Sequence, residues 1–274
     1  MIILYIEWHE DAKSVSMTDG TNTNAIKNRA PAVTRAFRIL RLLGRSETPL
    51  GVNQISRDLD LVPSTCLHVL RALTDEGVVV VDPASKRYAI GVGILPIARN
   101  AIQRNGVATL AEPRLAALSS QFGVTAIATQ LIQDREMVVV ALSVAQLPFR
   151  LSTELGSKFP ALTSATGRCV AAFSGADAKS LRKRFQALQW DKAPDFERWM
   201  AQVAETRHDG YGIDRGEYIG GVTILAAPVF DQAGAVAQSL VAIGLSEQMT
   251  PPVTADIAQA LLAVRDEIVD LMVG

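Results

Sequence analysis

Apolar positions recur at helical spacing in three short stretches between Ala32 and Gly77. Val33, Ala36, Phe37, Leu40 and Leu43 predict a first helix with one oily side, while Arg35, Arg38, Arg41 and Arg45 lie elsewhere around it. Gly44 and Ser46-Glu47-Thr48-Pro49 end that helix. Leu50 leads into a short second helix over about Val52–Leu59, with Ile55 and Leu59 inward. A third helix is predicted from Pro63 to Thr74. Its buried face is Cys66, Val69, Leu70 and Leu73 at i, i+3, i+4, i+7. Pro63 suits a first helical turn, and Ser64 is placed to satisfy a free amide there. Ser64, Thr65, His68 and Arg71 are left stacked along one outward side. After Gly77, "VVVVD" and "KRYAI" around "PAS" predict a small hairpin.

The second half changes rhythm. Leu95, Ala98 and Ile102 mark a helical connection, and "GVATLAEPRLAALSSQFG" predicts a helix that Pro113 kinks or restarts, with Leu110, Leu115 and Leu118 inward. "VTAIATQLI", "MVVVALSV", "GVTILAAPVF" and "AVAQSLVAIGL" then predict strands. Helices are predicted at "TSATGRCVAAF", "AKSLRKRFQALQ", "DFERWMAQVAETRHDG" and the C-terminal "VTADIAQALLAVRDEIVDLMV". This mixture indicates an α+β domain with a largely antiparallel sheet. The expected organisation is a flexible N-terminal extension at 1–28, a helical reading head at 29–92, a linker helix at 93–104 and the α+β domain at 105–274. Both Met1 and Met17 are available as starts.

Composition adds constraints. With 274 residues, 49% hydrophobic and 20% charged, the chain has ample core for two modest domains and is expected to be globular and cytoplasmic. "MIILYI" is too short for a signal peptide and runs into acidic "EWHED", and no apolar run is long enough to span a membrane. Cys66 and Cys169 are far apart and without metal-ligand spacing, so both are expected as buried thiols. The net charge of −1 conceals a distribution: Thr21–Arg104 carries twelve Lys or Arg against six Asp or Glu. The helical head is basic, and the rest is not.

A helix docked by an apolar side, with hydroxyls, an imidazole and a guanidinium on the other, fits the reading element of a helix-turn-helix, whose N-terminal residues enter the major groove of DNA. Arg71 suits a guanine edge or a phosphate, Ser64 and Thr65 suit phosphates near the helix start, and the neutral ring of His68 can donate or accept at a base edge. Lys86 and Arg87 lie near the hairpin tip, where a wing meets the backbone or minor groove, and Arg35, Arg38 and Arg29 are further candidate clamps. The expected partner is double-stranded operator DNA.

The run from Ala32 to Gly91 resembles the winged-helix domain of the IclR family of bacterial transcription regulators, and the similarity continues to Gly274. Ser64 and Thr65 fall on the family's serine-threonine pair, and His68 stands where an arginine is common. The stretches "LGSKFPALTSATGRCVAAF" and "YGIDRGEYIGGVTILAAPVFDQAGAVAQSLVAIGL" resemble the family's effector domain. The resemblance implies a multidomain α/β architecture: winged helix-turn-helix, linker helix, and GAF-like effector-binding domain. It implies a homodimer or a dimer of dimers, and an effector cleft lined near Ala165, Thr166 and Gly167, by Asp214, by Ile224 on one strand and by Ala242 on the next. The apolar character of Ile224 and Ala242 suggests a hydrophobic ligand or a pocket partly filled by its own side chains. Residue chemistry is compatible. Ser164 or Thr166 at a helix start exposes amides that suit a carboxylate, and Asp214 can accept from a ligand hydroxyl or amine. Arg168, where relatives commonly have lysine, is placed to pair with an acid of the same fold.

Cys169 and His208, with Asp209 or Asp214, are the candidates for a thiol-imidazole enzyme, although nothing in their spacing brings them together. HExxH, paired-cysteine and phosphate-loop motifs are absent from the sequence, so no enzyme, cofactor or metal is expected.

Overall fold

The computed structural model describes residues 2–5, 30–103, 106–145, 149–231 and 233–273. The chain divides into two compact units, one of residues 15–104 and one of residues 105–274 together with 1–14. Ile2–Tyr5 (β1) forms a short strand. The remainder of the predicted extension, with Met17 and Arg29, lies outside the described residues.

In the N-terminal unit, Pro31–Arg45 (α1) is followed by Leu50–Gly51 (β2), Val52–Asp58 (α2), Pro63–Asp75 (α3), Val79–Val81 (β3), Arg87–Ile90 (β4) and Ile94–Gln103 (α4). Strand β4 is central, pairing antiparallel with β2 and β3. Ile39, Leu43, Ile55, Cys66, Leu70 and Tyr88 converge from α1, α2, α3 and the hairpin to make the core. The oily side predicted for α1 meets the core at Ala36, Leu40 and Leu43 but extends beyond it. Ile39 is fully buried, whereas Val33 and Phe37 are 55% and 54% exposed. Leu95 of α4 is exposed as well, and the side chain of Ile102 is outside the described residues.

The C-terminal unit opens with Gly106–Phe122 (α5), which runs through Pro113 as one helix. Thr125–Ile132 (β5), Glu136–Val144 (β6), Phe149–Ser152 (β7) and Lys158–Pro160 (β8) follow, then Ser164–Phe173 (α6), Ala178–Phe185 (α7) and Phe196–Asp209 (α8). Gly212–Arg215 (β9), Val222–Phe230 (β10), Val236–Leu245 (β11) and Pro251–Val273 (α9) complete it. Six strands form one antiparallel sheet in the order β8-β6-β5-β11-β10-β9. Strands β7, β8 and β9 have no counterpart among the sequence-based expectations; β7 pairs in parallel with β1, from Ile2 opposite Phe149 to Tyr5 opposite Ser152.

Both faces of the sheet are covered. Ile127, Met137, Ile224, Val241 and Ile243 face α6, α7 and α8, with Trp199 and Phe185 filling the layer between. Ala126, Leu225, Leu240 and Ala242 face α5 and α9. Side chains of a strand alternate between faces, so each residue of β10 and β11 is committed to one layer or the other. Among the described residues no helix is long and apolar enough to cross a membrane.

Truncating Ile39 to alanine leaves a void where α1 meets α3 and the hairpin. Ile39→Ala is expected to lower the unfolding free energy of the N-terminal unit by about 2–5 kcal/mol, read from denaturant unfolding of the full chain.

Candidate functional site

The reading face of α3 stands clear of the core. Cys66 and Leu70 are fully buried, while Ser64, His68 and Arg71 are exposed and Thr65 is half-buried. None of those four outward side chains makes a hydrogen bond or ion pair among the described residues. Ser64 does not cap the helix. The N-cap is Val62, which offers no side-chain bond, and Pro63 occupies the first turn. The Ser64 and Thr65 amides sit in the turn that has no intrahelical acceptor, where an anion is favoured.

The basic residues around α3 divide by task. Arg71 and Lys86 are exposed, and neither side chain makes a hydrogen bond or ion pair among the described residues, although the Lys86 charge acts on nearby Asp82. Arg35 is half-buried on α1. Arg38 donates from Nη2 to the Leu59 carbonyl at 2.6 Å, so one of its donors ties α1 to the end of α2. Arg87 donates from Nη1 to the Pro49 carbonyl at 3.1 Å, tying β4 to the approach of β2. Both expected clamps therefore also brace the head. The hairpin tip is set by Asp82, which accepts from the Ser85 amide and hydroxyl and the Ala84 amide. Those Ser85 bonds hold its carboxyl below the ordinary value. Lys86 follows with φ +54°, a left-handed backbone that turns the chain into β4.

In the C-terminal unit, Ala165 and Ile224 lie in the layer between sheet and α6, Asp214 is directly across from Ile224 on β9, Thr166 and Gly167 are in the first turns of α6, and all five are buried. Ala242 does not join them. It belongs to the opposite layer, under α5 and α9, and Ile243 is the residue directly across from Ile224. Val241 and Ile243, which sequence reasoning did not single out, are the β11 residues that share the layer of Ile224. The start of α6 is tightly fitted. A Cβ on Gly167 would lie 2.0 Å from the Leu162 carbonyl carbon, so only glycine permits this approach. Ser164 holds φ +60°, and its buried Oγ has no hydrogen-bond partner. A strained non-glycine residue and an unpaired hydroxyl coincide with the free amides of the first turn.

Asp214 is fully engaged. Its Oδ2 accepts from Arg168 Nη1 at 3.2 Å, and its Oδ1 accepts the amides of Glu217 and Tyr218 at 2.9 and 3.3 Å. In this structure it serves as an internal anchor between α6 and the turn after β9. Arg168 is completely buried. It also pairs with Glu217 and donates to Gln202 Oε1 from Nε and Nη2 at 3.1 and 3.0 Å. The guanidinium thus joins α6 to α8 and to the turn after β9. A cavity of about 170 Å³ opens beside this cluster, lined by Arg198, Gln202 and Glu217 among others. None of the expected effector residues lines it.

Cys169 is buried on α6 and donates to the Ala226 carbonyl at 3.3 Å. Burial pushes its thiol up to about 12, the opposite of an activated nucleophile. His208 is exposed in the last turn of α8.

A winged helix-turn-helix with an open polar face, joined through a helix to an α/β domain whose sheet is covered by helices on both faces, defines a DNA-binding regulator with a sensing domain. The chain belongs to the IclR family of bacterial transcription regulators: the profile of the family's C-terminal region matches residues 99–269, and that of its helix-turn-helix domain matches residues 32–83. It is 26% identical over 238 residues to the HTH-type transcriptional repressor AllR of Klebsiella pneumoniae, covering 85% of this chain and 86% of that one. The IclR transcriptional regulator from Alicyclobacillus acidocaldarius superposes with a TM-score of 0.76 at 27% identity, over 87% of this chain and 97% of that one. An IclR homologue from Microbacterium hydrocarbonoxydans, solved in complex with 4-hydroxybenzoate, shares the fold with a TM-score of 0.70 at 16% identity, over 86% of this chain and 98% of that one.

Removing the Arg168 guanidinium leaves buried Asp214 without a cation and Glu217 with Arg198 alone. Arg168→Met is expected to cost about 3–5 kcal/mol. Adding Asp214→Asn and Glu217→Gln restores part of the loss, as thermal unfolding of the single and triple variants checks.

Proposed function

We propose that this regulator controls an operator whose affinity is set by a small organic acid with an apolar body, and that it works in the cytoplasm as a homo-oligomer without catalysing a reaction. The observation that carries the DNA reading is the outward face of α3, where Ser64, Thr65, His68 and Arg71 are all without internal partners on a helix anchored by Cys66 and Leu70. Arg71 and His68 reach base edges, Ser64 and Thr65 hold phosphates, and Lys86 at the wing tip meets the backbone, with Arg87, Arg35 and Arg38 adding charge along the approach. Exposed Val33 and Phe37 on α1 and Leu95 and Ile97 on α4 support pairing of two chains through these helices. Two recognition helices then face successive major grooves.

The effector seat is the start of α6. Ser164 Oγ and the first-turn amides receive the carboxylate, and Ile224, Val241 and Ile243 face the apolar body. All of these groups are buried, so entry selects a more open arrangement. The effector acts by its preference for that arrangement over the closed one. An apolar layer favours an aromatic or branched aliphatic acid.

Arg71→Ala is expected to weaken binding to a selected operator duplex by about 1–3 kcal/mol, with the wild-type complex weakening steeply as salt rises. A gel-shift series in which affinity is unchanged removes Arg71 from the interface. For the sensing half, a panel of aromatic and aliphatic carboxylates is expected to raise the melting temperature of the wild type for at least one member, and Ser164→Ala to blunt that shift. Stabilisation by none of the acids rejects the acid effector.

A further inference from the structure

The head of α3 departs from what helix stability alone favours. The N-cap position prefers Ser, Thr, Asp or Asn, whose side chains bond first-turn amides. Here it is Val62, in the extended backbone that such a cap uses, with φ −64° and ψ 130°. Its neighbours Leu59 and Leu61 pack against the core of the head, whereas Val62 is 65% exposed and takes no part in that core. The position therefore contributes no side-chain cap and little buried apolar area to the fold. A residue that breaks a local rule without a folding gain points to function.

The place of Val62 supplies that function. It immediately precedes Pro63, Ser64 and Thr65, at the helix end that enters the major groove. The thymine C5-methyl is the apolar group that the major groove presents. We propose that Val62 is a specificity-determining residue that reads a thymine by contact of its methyl groups with that C5-methyl, next to the polar contacts of Ser64 and Thr65. The proposal rests on the DNA reading above. It adds an apolar, water-excluding element to a face otherwise composed of hydroxyls, imidazole and guanidinium. It also implies opposing demands at one position, because the side chain that best caps α3 is one that cannot make the contact.

The test uses the full-length chain. A preferred duplex is selected from a random double-stranded library, then resynthesised with deoxyuridine replacing thymidine at one position at a time, which removes the methyl and leaves the hydrogen-bonding edge intact. Wild type is expected to lose about fourfold in affinity at one thymine, the equivalent of one buried methyl-sized group. Val62→Ala and Val62→Ser bind the parent duplex more weakly by a similar factor and show no further loss on that replacement. Val62→Ser, which introduces a cap, is expected to raise the melting temperature of the free protein while lowering discrimination. A merely structural Val62 would not produce that split. Indifference of the wild type to every deoxyuridine, or equal losses in wild type and both variants, overturns the proposal. Failure of the wild type to select any duplex refutes the DNA reading itself, and this assignment with it.

Discussion

The C-terminal unit depends on a sheet that must hide both of its faces. Strands β10 and β11 are buried on either side, so α6, α7 and α8 cover one layer and α5 and α9 the other. Each layer then has its own work. The layer under α6 holds Trp199, Phe185 and Phe196, the strained helix start and the buried ion cluster, and the other is closed mostly by small and aliphatic side chains, with Phe122 and Tyr211 at its margin. A polar site can exist in the first because the second supplies unbroken apolar support beneath the same strands.

That constraint decides what the sequence reveals. In a strand buried on one face, apolar and polar residues alternate and the orientation can be read off. In "VTILAAPVF" and "SLVAIGL" nearly every residue is apolar, so the presence of the strand is legible and its facing is not. Ala242 shows the result. Continuing the pairing of Phe230 with Val236 without interruption would set Ala242 opposite Ile224, but a bulge between Val229 and Phe230 shifts the register and brings Ile243 there instead. A slip of one residue moves a side chain to the other face. The short strands β8 and β9 were illegible for a different reason, since stretches of three or four residues carry too little pattern. The three helices and the hairpin of the head were readable because each has one wet side. Even there, Val33 and Phe37 extended the apolar stripe of α1 beyond the face that meets the core, and Ile39 was overlooked.

The two units handle charge in opposite ways. In the head, the Arg71 and Lys86 side chains stand in solvent without a hydrogen bond or ion pair among the described residues, and Arg38 and Arg87 use one donor each on a backbone carbonyl. Such charges are cheap to keep hydrated and are available to an anionic polymer. In the C-terminal unit, Arg168 is removed from water altogether, and its donors meet Gln202, Asp214 and Glu217. Asp214 is easily taken from sequence as a free acceptor, because an aspartate in so short a strand gives no sign that a residue far away in the chain will claim it.

The spacing of those partners bears on how the protein is made. Gln202, Asp214 and Glu217 stand 34, 46 and 49 residues beyond Arg168. During translation the guanidinium therefore emerges on the order of seconds before the acids that neutralise it. Until they arrive, α6 has no means of burying its own charged residue. The nascent domain must wait in a hydrated, incompletely packed form, with its finished geometry reached only when the last third of the chain has left the ribosome.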